Sequence, residues 1–143
     1  MDRSFHYLLM AARSLFQRSV MAELNGSGLT AGQPKVLDYL GRHDGSVQKA
    51  IAAGCQIDPA TLTGLLNRME EKGLIRRCNE DGNRRSLHVY LTEQGWAKQR
   101  EVRQTMERQS EVVQAGLSEE QRAQLLDCLY KVCANMTDME GLQ

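Results

Sequence analysis

Apolar residues recur every three to four positions through most of the chain, which is the spacing that places side chains on one face of an α-helix. The first such run predicts a helix over residues 4–24. A second helix is expected from Thr30, because Thr30 and Gln33 have the spacing of a capping box. A third, short helix follows, with Ser46 as its expected cap. The first third of the chain is therefore predicted to be helical.

The stretch QIDPATLTGLLNRMEEKGLIRR contains the most clearly marked helix of the chain. Asp58 suits the N-cap and Pro59 the first turn, since proline lacks the amide hydrogen that would have no partner there. Gly73 is expected to end this fourth helix. Its apolar face consists of Leu62, Leu65, Leu66 and Met69. These signals predict a helix with one buried and one exposed face.

Two short segments after this helix have strand character, LIRRC and LHVYL, and the second alternates apolar with more polar residues. The polar segment NEDGNRRS between them predicts a turn with Arg84 and Arg85 at its tip. A two-stranded hairpin is marginal alone in water, so this one is expected to pack against the helices.

The last third of the chain predicts two more helices. Thr92 can cap a long polar helix with few apolar residues, and Ser118 and Gln121 form a capping box at the start of the last one. The residues that the last helix is expected to bury are Leu125, Leu126, Leu129, Val132 and Met136.

The order of these elements describes a winged helix-turn-helix: three central helices, then a hairpin with a basic tip. We therefore expect a mainly α fold with a small β-hairpin wing. Residues 29–92 form the winged helix, residues 1–28 a preceding helix, and residues 93–143 a long helix followed by the last one.

Composition changes this picture only in part. The formal net charge is zero, but residues 1–92 carry 12 Lys and Arg against 9 Asp and Glu, whereas residues 93–143 carry 6 against 9. The winged helix thus lies in the more basic part of the chain. No apolar run approaches the roughly 20 residues that span a bilayer, and His6 and Arg13 interrupt the first one. A cytoplasmic protein without membrane contact is expected.

The four cysteines show neither a CxxC motif nor the spacing of a zinc site; they are Cys55, Cys78, Cys128 and Cys133. Buried, inert thiols are expected, with redox sensing or an intersubunit disulfide as the alternative. Cys128 and Cys133 cannot bridge within one helix, because five positions place them about 140° apart around its axis. No metal or cofactor is expected.

The face of the fourth helix opposite its leucines contains the candidate binding residues. Gly64 is the informative one, since glycine inside a helix costs about 1 kcal/mol relative to alanine. On a helix that enters the major groove, a small residue lets the backbone approach the base edges. Side chains nearby suit phosphate and base contacts, namely Thr61, Thr63, Asn67 and Arg68. An ordinary solvated face is the alternative.

Two neighbouring segments favour DNA binding over a merely solvated face. Gln48 lies on the short helix that precedes the fourth helix by a tight connection, which is the order a helix-turn-helix needs. Arg84 and Arg85 lie where arginine can enter a narrow minor groove.

From about Leu29 to Gly95 the chain resembles the multiple-antibiotic-resistance-regulator (MarR) family of winged-helix transcription factors. The matching segments are SVQKAIA, IDPATLTGLLNRMEEKGLIRR, the wing NRRS and YLTEQG. The resemblance implies a homodimer whose terminal helices, in residues 1–28 and 93–143, interleave. Two winged helices would then read the half-sites of a palindromic operator in double-stranded DNA.

The resemblance also suggests roles for particular residues. Arg85 matches the family's wing arginine that enters the minor groove, and the four polar residues of the fourth helix match recognition positions. Asn83 stands where the family often has an aspartate that orients this arginine. Gly64 stands where a long, often basic residue is common in the family. The operator sequence that this chain recognises is therefore expected to differ from those of such members.

Members of the family commonly repress transcription until a small aromatic acid, a phenol or an oxidant acts on them. The residues expected to line a ligand cleft are His6, Arg13, Phe16, Tyr39 and His43. Oxidant-sensing members carry their reactive cysteine in the first helix, and this chain has none before Cys55. A small aromatic or phenolic effector is therefore the expectation.

Two other functional classes compete with a regulator. An enzyme is not expected, because His6, His43 and His88 lie in separate elements, none neighbours a cysteine, and no phosphate loop is present. A winged-helix protein-interaction module that binds no DNA is the remaining alternative.

Overall fold

The computed structural model describes residues 1, 3–80, 82 and 86–142. In this part of the chain the elements are α1 (Phe5–Glu23), α2 (Gln33–Arg42), β1 (Ser46–Val47), α3 (Gln48–Cys55), α4 (Pro59–Glu71), β2 (Ile75–Asn79), β3 (Leu87–Leu91), α5 (Glu93–Val113) and α6 (Glu119–Ala134), followed by a 3₁₀ turn (Glu140–Leu142). The architecture is mainly α with a small antiparallel sheet, as predicted.

Three of the predicted helix starts are confirmed by their caps. The Asp58 carboxylate accepts from the Thr61 amide at 3.0 Å, and Thr92 accepts from the Gly95 amide at 3.0 Å. At the start of α6, Ser118 and Gln121 form the complete capping box. These signals involve only neighbouring residues, so the sequence contains all the information they need.

The start of α2 differs from the prediction by two residues. The helix begins at Gln33 instead of following Thr30 directly, with Gly32 as N-cap in the left-handed region at φ 88°. The Gln33 side-chain oxygen still accepts from the Thr30 amide at 3.0 Å. One of the two hydrogen bonds of the predicted capping box is therefore present, but it lies in the turn that precedes the helix.

The sheet has three strands within the described residues, in the order β1-β3-β2, where a two-stranded hairpin was expected. Ser46 pairs with Val89 and Val47 with His88. The prediction that Ser46 caps α3 is wrong, because Val47 is the N-cap and Ser46 donates its hydroxyl to the His43 carbonyl at 2.6 Å. Ser46 and Val47 are extended instead, and they pair with the edge of β3 that faces away from β2.

The core lies where α2, α3, α4, the sheet and the start of α5 meet. Leu37, Leu40, Ile51, Leu66 and Met69 are fully buried there. The loop after α4 packs closely on α5, since a Cβ atom added to Gly95 would lie 1.9 Å from the Leu74 carbonyl oxygen. Gly95 thus lets the wing and α5 approach each other.

The terminal helices are packed very differently. Val20 is the one buried residue of α1 among those described, and α6 buries none. The predicted burial of the apolar face of α6 is therefore wrong for a single chain: Leu126 is 63% exposed and Met136 70%. Leu125 and Leu129 are also exposed, and Val132 is half-buried. The apolar pattern identified the face correctly, but no element among the described residues of the same chain covers it.

The four thiols are free and differ in their surroundings. Cys55 is buried, and desolvation raises the pKa of its thiol to about 11, so it is uncharged at neutral pH. Cys78 and Cys133 are half-buried and Cys128 is exposed. The expectation of buried thiols is right for Cys55 alone.

None of the helices in the described residues combines the length and the apolar character needed to cross a bilayer.

Candidate nucleic-acid interface

The two helices of the predicted helix-turn-helix, α3 and α4, are joined by a tight connection. Gln56 makes the turn possible by adopting the left-handed region at φ 54°, and its side chain donates to the Ala53 carbonyl at 2.7 Å. α4 then begins at Pro59 after its Asp58 cap and packs its leucine face on the core. The opposite face of α4 points away from the rest of the chain.

The predicted binding residues of α4 lie on this outer face. Thr61, Thr63, Asn67 and Arg68 are exposed, and Gly64 is half-buried between them. Gln48, at the first position of α3, is half-buried beside the same surface. The structure thus brings the six predicted residues of α3 and α4 to one side of the winged helix.

Neither threonine presents a free hydroxyl proton. The Thr61 hydroxyl donates to the Asp58 carboxylate, and Thr63 donates to the Pro59 carbonyl at 2.9 Å. These bonds from the Thr61 side chain and amide hold the pKa of Asp58 below its ordinary value. Both hydroxyl oxygens retain lone pairs, so at this surface they can accept a hydrogen bond while their present bonds remain.

Gly64 has no packing role within the described part of the chain. A Cβ atom at this position would meet only the Arg68 guanidinium, at 3.6 Å and 4.0 Å, which is ordinary van der Waals distance. The helical glycine therefore has a cost in stability that internal packing does not explain. The open space above it suits the approach of another molecule.

Arg77 on β2 connects the sheet to this surface, and sequence reasoning did not single it out as a site residue. Its guanidinium pairs with Glu70 on α4, at 3.2 Å from Nε and 3.1 Å from Nη2. This pairing lowers the pKa of the Glu70 carboxyl. The sequence did contain a signal for this placement. Ile75 and Arg77 lie two positions apart on a strand, so both side chains point to the side of the sheet that faces the core.

The other arginine of β2 points to the opposite side of the sheet. Arg76 lies 4.5 Å from the centre of the Tyr90 ring and donates to Cys78 Sγ at 2.6 Å. The Tyr90 hydroxyl donates to Glu80, and this bond raises the pKa of Tyr90. Arg84 and Arg85, the predicted tip residues, lie outside the described residues, as does Asn83.

Four of the five predicted ligand residues are divided between two cavities beside α2. Tyr39 and His43, with ring centroids 4.6 Å apart, line a cavity of about 300 Å³. Arg13 and Phe16 line an apolar cavity of about 180 Å³ between α1 and α2. His6 is exposed at the start of α1 and lines neither of these two cavities.

The two cavities are close neighbours. Lys35 and Met106 line both of them, so a cation and a flexible apolar side chain lie between the two spaces. Cys55 and Leu142 also line the larger cavity. The Asp38 carboxylate lines the larger cavity as well, so the charged lining of that cavity carries both signs.

A family model described as the MarR family matches residues 27–86 of the chain. A Thauera aromatica protein assigned as the transcriptional regulatory protein of the hcr operon is 28% identical over 123 residues, which are 86% of this chain and 72% of that protein. The transcriptional repressor MdtR of Bacillus subtilis is 28% identical over 71% of this chain and 67% of its own length.

The fold of this chain is also similar to the folds of solved structures. A structure of a Listeria monocytogenes protein assigned to the MarR family, in complex with a 26mer DNA, superposes with a TM-score of 0.83. The two chains are 24% identical, and the match covers 95% of this chain and 90% of that one. The winged helix and its flanking helices thus occur together in a known fold.

Proposed function

We infer that this chain belongs to the MarR family of transcriptional regulators, and on that premise we propose that it binds a palindromic DNA operator as a homodimer and represses transcription until a small molecule releases it. One observation supports the proposal above all others. The outer face of α4 is polar, exposed and open above Gly64, although the glycine has no internal packing role.

The contacts of this face follow from its chemistry. Arg68 supplies a positive charge for phosphate or guanine, and Asn67 supplies an amide for a base edge. The open space at Gly64 lets the helix backbone come close to the groove floor. Thr61, Thr63 and Gln48 complete the proposed surface. The Listeria monocytogenes relative was crystallised with DNA, which is consistent with this use of the fold.

The proposed wing contacts come from Arg84 and Arg85. Their assignment rests on the family resemblance and on their place in the turn that the sequence predicts between the two strand segments. A guanidinium inserted into a narrow minor groove would benefit from the strong negative potential there.

The homodimer is proposed from the exposed apolar faces of the terminal helices. Leu8 on α1 is 48% exposed and Leu126 on α6 is 63% exposed, and both belong to apolar stripes on their helices. Apolar surface of this extent is typical of an interface and not of a monomer surface. A second copy would cover these faces and would place two α4 helices for successive major grooves, about 34 Å apart.

The effector is proposed to be a small aromatic or phenolic molecule. Arg13 and Phe16 at the smaller cavity offer a cation and an aromatic ring, and Lys35 extends the positive charge to the larger cavity. Both cavities lie at α2, which joins the α1 and α5 helices to the DNA-binding helices. Filling them would change the position of α4 relative to its twin. Operator DNA and regulator meet in the cytoplasm, where we place the protein.

Selection of bound sequences from random DNA with the purified protein tests the proposal. We expect a palindromic motif, and an affinity that falls linearly on a plot of log affinity against log salt concentration because bound cations are released from the phosphates. Arg85→Ala should weaken operator binding by about 1–3 kcal/mol. Arg100→Ala, an exposed arginine on α5, is the control.

The outcomes separate two claims. If no motif is enriched, the DNA-binding proposal is wrong and the protein-interaction alternative takes its place. If a motif is found but neither Arg84→Ala nor Arg85→Ala binds it more weakly than the parent, only the wing assignment is wrong.

A further inference from the structure

Arg77 contacts both α3 and α4, the two helices whose side chains are proposed to contact base edges. Its side chain is 17% exposed and lies between β2 and α4. Nε and Nη2 donate to the two carboxylate oxygens of Glu70, at 3.2 Å and 3.1 Å. A two-point contact of this kind fixes the plane of the guanidinium as well as its position.

The same guanidinium reaches two amide side chains. Nη2 donates to Asn67 Oδ1 at 2.9 Å, and Nη1 donates to Gln48 Oε1 at 3.5 Å, a longer and weaker contact. A guanidinium has five N–H donors and no acceptor. Each amide must therefore turn its oxygen towards Arg77, which leaves its NH₂ group for a partner outside the chain.

This orientation affects which bases the amides can recognise. Asparagine usually pairs with adenine by accepting from N6 and donating to N7, which requires its oxygen and its NH₂ group to face the same base together. The oxygen of Asn67 instead faces the Arg77 guanidinium, at 2.9 Å from Nη2. Guanine presents two acceptors, N7 and O6, in the major groove, so a donor group alone is sufficient to bind it. Cytosine presents an N4 donor there, and an NH₂ group has no acceptor to offer it.

Building on the proposed function, we propose that Arg77 determines base specificity without touching the DNA. It acts as a positioning residue that holds Asn67, and more weakly Gln48, as hydrogen-bond donors. The operator position contacted by Asn67 then carries guanine in preference to adenine or cytosine. Arg77, Glu70 and Asn67 act as one unit, in which Glu70 holds the arginine and the arginine holds the amide.

Sequence selection with four proteins tests this role: the parent, Asn67→Ala, Arg77→Met and Arg76→Met. Asn67→Ala identifies the contacted base pair, since preference is lost at that position. We expect the parent to select guanine there. Arg77→Met removes the donors but keeps an apolar stem, so the ratio of guanine to adenine at that position should fall roughly tenfold.

Arg76→Met is the matched control. It removes the same charge from the same strand, but its guanidinium stacks on Tyr90 on the other side of the sheet. We expect it to lower affinity for all sequences alike, with the base preferences unchanged. Asn67→Asp gives a second test that does not depend on the folding of Arg77→Met. The aspartate still accepts from Arg77 but presents an acceptor outward, so selection should pass from guanine to cytosine.

Each result has a definite meaning. If the parent selects any base other than guanine at the position identified by Asn67→Ala, or if folded Arg77→Met keeps the parent's preference, the role of Arg77 is overturned while DNA binding stands. If Asn67→Asp still selects guanine, the orientation of the amide is wrong. If the parent enriches no motif, the proposed function fails, and this inference fails with it.

Discussion

In the winged helix, residues 29–92, the apolar side chains of α2, α3 and α4 bury one another, whereas α6 buries none of its own. Leu66 on α4 is fully buried and Leu126 on α6 is 63% exposed, although both belong to regular apolar faces. Helical periodicity is thus the same in both regions, but the covering surface is not. In one case it lies in the same chain, and in the other the proposed homodimer would supply it.

The difference extends to polar groups. The Arg77 guanidinium is held by side chains of α4 and α3 of its own chain. On the terminal helices, ion pairs such as Arg108 with Glu23 join α5 to α1 but leave the apolar stripes uncovered. The winged helix is therefore expected to be a rigid unit, and the placement of two such units is expected to depend on the terminal helices.

The largest effect is expected from the uncovered face of α6. In Leu126→Glu with Leu129→Glu, four leucines are lost from a symmetric dimer, at about 1.5 kcal/mol or more each. The dimer dissociation constant should rise by about four orders of magnitude, which sedimentation equilibrium measures.

Ala123→Glu with Gln124→Glu is the control for this change. It adds the same two charges at exposed positions away from the apolar stripe of α6 and should leave dimerisation intact. A parent chain that sediments as a monomer at micromolar concentration contradicts the assignment of this face to a second copy.

A smaller effect is expected at Gly95, where α5 packs against the winged helix. The Cβ atom of Gly95→Ala would lie 1.9 Å from the Leu74 carbonyl oxygen, so α5 and the start of the wing must separate. Overpacking of this kind costs about 1–3 kcal/mol of unfolding free energy, which urea unfolding measures. An unchanged unfolding free energy would mean that the two segments are not in close contact.

Gly64→Ala is the matched substitution and is expected to have the opposite sign. Its Cβ atom meets nothing closer than 3.6 Å, so the variant should be more stable by roughly 0.5–1 kcal/mol, as alanine favours the helix. Operator affinity should fall at the same time because the added methyl separates helix and groove. If the variant is more stable and binds the operator as tightly as the parent, the glycine is not needed for DNA binding.

These contrasts show which features the sequence could predict. The caps at Asp58 and Ser118 and the buried face of α4 follow from residues within one turn of each other. The two-residue strand Ser46–Val47 was missed, since it is too short to show alternation and forms only against β3. The burial of α6 was mispredicted because periodicity identifies an apolar face but not the chain that covers it.

The binding surface shows the same limit. The α4 residues of the candidate site were predicted because they share one helix, and helix geometry assigns them to one face. Arg77 was not, because its role depends on β2 packing beside α4 and on Gln48 approaching from α3. Such a juxtaposition of three elements requires tertiary structure. The five ligand candidates failed to converge for the same reason, since α1 and α2 present different sides to the two cavities.

The smallest expected effect concerns acid sensitivity within the winged helix. Arg77 holds the pKa of Glu70 below its ordinary value of 4.5, so the pair stabilises the fold above about pH 4.5 and this contribution is lost as pH falls through the folded-state pKa. Because the Glu70 side chain is 43% exposed, Glu70→Gln should cost only a few tenths of a kcal/mol at neutral pH. The difference from the parent should shrink in urea unfolding below pH 4.5.

Glu71→Gln, one position along α4, removes the same charge and should show no such convergence with the parent. Since Glu70 and Arg77 belong to one chain, the cost of Glu70→Gln should also be independent of protein concentration. The effect of the α6 leucines, in contrast, should grow on dilution, because a second chain must be recruited to cover them. A concentration-dependent cost for Glu70→Gln would mean that the winged helix, too, is completed by its partner.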